Sequence, residues 1–89
     1  MSYEDTSAES VQVLCLRVTA EADPGALPRL LANFQHLNVL PRRVVAEFGS
    51  DELLHVRIDV AGVPEARVNT LTAKVGQIPT VLDAYWHRL

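Results

Sequence analysis

The sequence holds one cysteine, Cys15, so no internal disulfide can staple it. It lacks any Cys-x-x-Cys pair, which removes the usual thiolate motif for metal transfer. Aromatic residues are few: two Phe, two Tyr and one Trp. No apolar run nears the roughly 20 residues a membrane-spanning helix needs. The first ten residues contain neither a base nor an apolar stretch, so they do not read as a secretory leader. A cytoplasmic location is expected. Charge of one sign is also missing from the body. Of eleven acids, Glu4, Asp5 and Glu9 lie in that first stretch, which leaves eight acids against eight bases. A balanced body exerts no general attraction on nucleic acid or an anionic membrane.

What is present is ordinary globular composition, 48% apolar and 21% charged, in 89 residues. That length makes one domain, expected over residues 11–89, with 1–10 as a loose tail. Residues 11–20 alternate as a strand, with Leu14, Leu16 and Val18 on one side and Val13, Cys15 and Arg17 on the other. After a turn, residues 26–37 switch to helical spacing, with Leu27, Leu30, Leu31, Phe34 and Leu37 on one stripe. Pro28 falls in the first turn, where its missing N–H forfeits no bond.

Residues 39–48 read as a second strand, an edge strand because Pro41 cannot donate to a ladder. Val44, Ala46 and Phe48 share one of its faces. A hairpin at 49–52 leads to a strand at 53–60, with Leu54, Val56, Ile58 and Val60 inward and His55, Arg57 and Asp59 outward. Pro64 opens a helix with stripe Val68, Leu71, Thr72 and Val75, and Gly76 is expected as its C-terminal cap. A short strand at 80–86 closes the chain. The order βαββαβ predicts an α+β, ferredoxin-like fold: a four-stranded antiparallel sheet with both helices on one face.

That topology serves many functions, so the residues must discriminate among them. Base stacking needs aromatic rings on the open face of the central strands, and Val13, Cys15, His55 and Arg57 stand there instead. Acyl-phosphate hydrolysis needs a glycine-rich anion cradle after the first strand, and none is present. His36, His55 and His87 are scattered, with no neighbouring nucleophile or paired carboxylate. No catalytic residue and no metal ligand is assigned.

The remaining feature is the turn Asp23, Pro24, Gly25, Ala26 and Leu27. It has two readings. One is a plain helix start with Asp23 as cap and Gly25 for the turn. The other is a carboxylate site, where the helix start offers free N–H groups and Gly25 permits close approach.

These residues, with Leu37, Asn38 and Val39 at the next strand and Ile78, Pro79, Thr80, Val81 and Leu82 near the end, resemble the ACT domain, a ferredoxin-like module that binds amino acids and regulates biosynthetic enzymes. Gly25, Ala26, Leu27 and Asn38 are most similar to the small regulatory subunit of acetohydroxyacid synthase (acetolactate synthase), in its short, isozyme II type. The resemblance implies a non-catalytic subunit that activates a large synthase subunit in branched-chain amino-acid biosynthesis. Thiamine diphosphate, FAD and magnesium would then belong to that partner, and this chain would carry no cofactor.

It also implies a homodimer joined edge to edge through the first helix and second strand. Effector pockets for a branched-chain amino acid would lie at that seam, formed by Ala22, Asp23, Pro24, Gly25 and Ala26 of one copy and Asn38 of the other. Ala22 stands where valine-binding forms usually carry Asn, which implies weak or lost feedback. The open sheet face, with Val13, Cys15, Arg17, Arg43, Val45, His55 and Arg57, is the expected partner contact. The alternative is a stand-alone ACT sensing domain that regulates another enzyme or a transcription system.

Overall fold

Strand β1 (Val13–Glu21) runs through the middle of a sheet ordered β2-β3-β1-β4, all neighbours antiparallel. The computed structural model describes residues 12–89; the tail expected at 1–10 and the domain start at Val11 lie outside the described residues. The other elements are α1 (Ala26–His36), β2 (Arg43–Phe48), β3 (Leu53–Ala61), α2 (Glu65–Gly76) and β4 (Val81–Arg88). This is the ferredoxin-like βαββαβ arrangement.

Period-two alternation sends Leu14, Leu16 and Val18 of β1 and Val56, Ile58 and Val60 of β3 to one face, where all are buried. Leu30 and Phe34 of α1 and Val68, Leu71 and Val75 of α2 close over them as one core. Full burial of each such side chain stabilises the fold by about 1.5–3 kcal/mol. Helix α2 is also tied to β4: the Trp86 indole Nε1 donates to Asn69 Oδ1 at 2.7 Å, and Arg88 pairs with Glu65.

Three expectations are corrected. The second strand begins at Arg43 rather than Val39, because the chain first completes a Schellman motif at the end of α1. Leu37 is the C-cap, Asn38 takes the left-handed conformation (φ 57°), Val39 N–H donates to Phe34 O and Asn38 N–H donates to Gln35 O. Pro41 therefore sits in a loop, although β2 is indeed an edge strand.

The second correction concerns Gly76, which is the last helical residue of α2, with Gln77 at the C-cap in a right-handed conformation. Successive tight turns, Ile78 N–H to Val75 O and Val81 N–H to Ile78 O, carry the chain into β4 without a left-handed residue. Third, β4 runs on to Arg88 rather than Trp86.

The apolar face of β2 is left uncovered. Val44, Ala46 and Phe48 pair in register with Ile58, Val56 and Leu54, so they lie on the helix side of the sheet. Yet Val44 is 38% exposed and Phe48 67%, because neither helix reaches over this edge.

Candidate functional site

The turn after β1 is held by its own side chain. Asp23 Oδ2 accepts the Gly25 N–H at 3.1 Å, and Asp23 O accepts the Ala26 N–H at 2.9 Å. These are two of the donors an incoming carboxylate would use. Pro28 has no N–H to offer, and the Leu27 N–H has no backbone acceptor outside the helix among the described residues. Gly25 is the N-cap at φ −84°, a conformation open to any residue. A Cβ there would stand 3.2 Å from Asp23 Oδ2, so glycine serves the close carboxylate rather than an unusual backbone angle.

Ala22 and Pro24 lie exposed beside the turn. Thr80 is adjacent: its carbonyl accepts the Glu21 N–H at 2.8 Å, while its buried Oγ1 has no hydrogen-bond partner among the described residues.

Asn38 lies at the other end of α1. Eleven helical residues separate the two, about 16 Å along the axis at the usual rise. One chain thus does not bring Asn38 to Asp23 and Gly25. Its left-handed φ also gives Asn38 a structural role, since Asn tolerates that conformation better than most residues. Asn38 lines a groove of about 380 Å³ with Pro41, Arg42, Gly62, Pro64 and Arg67 among its walls.

The sheet face away from the helices carries a polar lattice. Register places Arg43, Asp59, Cys15 and His87 in one row across the four strands. Val45, Arg57, Arg17 and Tyr85 form the next row, and Glu47, His55, Thr19 and Asp83 the third. Asp59 is only 6% exposed although it faces away from the core. Burial raises its carboxyl pKa, but hydrogen bonds from Arg57 and the Cys15 thiol, with the charges of Arg57 and Arg43, outweigh that and hold it below the ordinary value. Cys15 is fully buried, and burial followed by the neighbouring Asp59 pushes its thiol pKa upward. Such a thiol is an inert structural group.

The hairpin end is organised by Asp51. It accepts the Leu53 N–H at 3.0 Å and pairs with His55 Nε2 at 2.9 Å, and the Leu53 and His55 bonds hold its carboxyl below the ordinary value. Gly49 leaves room for this pair: a Cβ would come within 2.6 Å of Asp51 and 2.9 Å of His55, so a larger residue would displace the two side chains.

The sequence reading did not place Tyr85 or His87 on this face. Tyr85 places an exposed aromatic ring on the face, and His87 accepts a bond from Arg17 Nε at 3.1 Å. The alternation of Asp83, Tyr85 and His87 was the available signal, but it becomes visible only if the strand extends past Trp86. Among the described residues no group of three His, Cys, Asp or Glu is placed to hold a metal ion. No described helix is long and apolar enough to cross a membrane.

No protein-family model matches the chain, and no curated protein matches it. Solved structures do. The chain is similar to the C-terminal domain of the MgtC protein from Mycobacterium tuberculosis, with a TM-score of 0.74, 18% identity, and 91% of this chain and 90% of that chain covered. It is similar to the ACT domain from GTP pyrophosphokinase of Chlorobium tepidum, with a TM-score of 0.73, 13% identity, and 88% and 100% covered. It is also similar to the regulatory subunit of aspartate kinase from Thermus flavus, with a TM-score of 0.67, 10% identity, and 88% and 52% covered. At these identities the likeness is one of fold. The chain has the fold found in ACT domains.

Proposed function

We propose that this chain is an amino-acid-responsive regulatory domain that acts through a partner and carries no chemistry of its own. The observation that supports it best is the separation of the two motif halves. The Asp23–Gly25 turn and Asn38 lie at opposite ends of α1, and the uncovered strip of Val44, Ala46 and Phe48 runs along the free edge beside them. Two copies joined antiparallel along β2 would bring the turn of one towards Asn38 of the other, and would cover Phe48. The likeness to the ACT domain of a GTP pyrophosphokinase and to a regulatory subunit of aspartate kinase supports a regulatory role.

In its finer form, the reading is an activating small subunit of acetolactate synthase. It rests on Gly25, Ala26, Leu27 and Asn38. Thiamine diphosphate, FAD and magnesium would sit in the catalytic chain. The occupied donors at Gly25 and Ala26, together with Ala22, favour weak effector binding. The test is reconstitution with an acetolactate synthase large subunit. Pyruvate condensation should rise on addition of this chain, and an unchanged rate removes the finer reading. A stand-alone sensor would instead give heat with a free amino acid in calorimetry, without any partner.

A further inference from the structure

We infer that the sheet face away from the helices carries an oxyanion site centred on Arg17, which takes the single carboxylate or phosphate head of a small molecule. The inference goes beyond the regulatory reading and does not depend on it, since Arg17 lies mid-strand in β1, away from the Asp23 turn.

Arg17 and Arg57 are directly opposed across β1 and β3. Like charges in that position destabilise a sheet unless something balances them. Arg57 is balanced: its Nε and Nη2 donate to the two oxygens of Asp59 at 3.1 and 3.3 Å. Arg17 is not. Its Nε donates to His87 Nε2, an acceptor that must be neutral to serve, and it forms no ion pair among the described residues. The His87 bond fixes the Nε edge of the guanidinium and leaves the Nη groups to other acceptors. A half-buried, uncompensated guanidinium in the middle of a sheet is costly, and a bound oxyanion is the partner its planar donor fork fits.

Arg17 and Arg57 line a cavity of about 340 Å³, with Thr19, Val45 and Tyr85 among its walls. The volume lies within the range of small-molecule sites. Tyr85 and Val45 flank the two arginines in their own row, so the body of the ligand meets an aromatic ring and an aliphatic side chain. Glu47, also in the cavity wall, and Asp83 occupy the adjacent row. Two carboxylates one row away repel a second negative group. This selects a ligand with one acidic head over a nucleic-acid strand with a charge at every step.

The experiment titrates the full chain with inorganic phosphate and, separately, with acetate, at constant ionic strength balanced with chloride. Thermal unfolding and side-chain Arg Nε NMR signals are read together. A saturable rise in melting temperature with either anion, with the Arg17 Nε signal moving and the Arg88 signal still, supports the site. The anion that acts identifies the head as phosphate or carboxylate. Arg17→Gln should weaken the apparent affinity about tenfold or more, as expected for loss of a charge-assisted bond. Without anion the same variant should unfold no earlier than the parent, because the opposition to Arg57 is gone. If Arg17→Gln fails to fold, the NMR titration of the parent decides alone. No saturable response to either anion overturns the proposal, and so does a response that Arg17→Gln retains in full.

Discussion

Asp59 and Arg57, two residues apart on β3, form a two-point ion pair on the face opposite the core, directly across from the fully buried Cys15 on β1. The outward face of the central strands is therefore closed at this point, although its pattern in the sequence reads as solvent-facing. Replacing Asp59 by Asn removes the counter-charge but keeps the shape. The expected loss of stability is about 1–3 kcal/mol, measured by urea unfolding.

The same pair sets an acid dependence. The folded Asp59 carboxyl titrates below its ordinary value of 3.8, so the unfolded chain binds the proton more readily. Its stabilisation is fully present above about pH 4 and is lost as pH falls through the depressed folded value. Asp51 is shifted in the same direction and adds to the same limb. Denaturation curves from about pH 2 to about pH 6 should show a shallower acid loss for Asp59→Asn than for the parent.

Asn38 gives a third prediction, which separates its two roles. Its left-handed backbone favours Gly and Asn and penalises branched side chains. Asn38→Gly should leave stability nearly unchanged, whereas Asn38→Val should cost about 1–2 kcal/mol in urea unfolding. An amino-acid response lost in Asn38→Gly with stability intact would assign the side-chain amide to the ligand.

Phe48 tests the edge. It is two-thirds exposed on an edge strand whose outer side is free, so Phe48→Lys should not disturb folding. A charged lysine on an open edge opposes strand addition. Sedimentation should show the parent as a dimer and the variant shifted to monomer, and a parent that sediments as a monomer refutes pairing along β2.

Cys15 should resist alkylation. Its thiol is fully buried and its pKa raised by burial and by Asp59, so thiolate and access are both scarce. Native protein at neutral pH should react with iodoacetamide far more slowly than protein in denaturant. Equal rates would show that the β1–β3 face opens readily.

The sequence by itself determined the element order and the core. Alternation in 53–60 and the stripe of Leu30 and Phe34 are local consequences of periods of 2 and 3.6, and each keeps its face wherever the element docks. The start of β2 was illegible for the opposite reason. Val39 is apolar and follows a helix, and only the hydrogen bond back to Phe34 O shows that it closes α1 rather than opening a strand.

For the candidate sites, Asp23, Pro24 and Gly25 were recognisable as a helix start. That Asp23 occupies the Gly25 N–H is a matter of side-chain rotamer, which sequence does not encode locally. Arg17 and Arg57 stood forty residues apart with nothing to join them. Arg57 already had Asp59 two residues along its own strand, but strand register alone set Arg17 opposite Arg57 and left it facing a cavity, because pairing across a sheet is decided by the whole packed core.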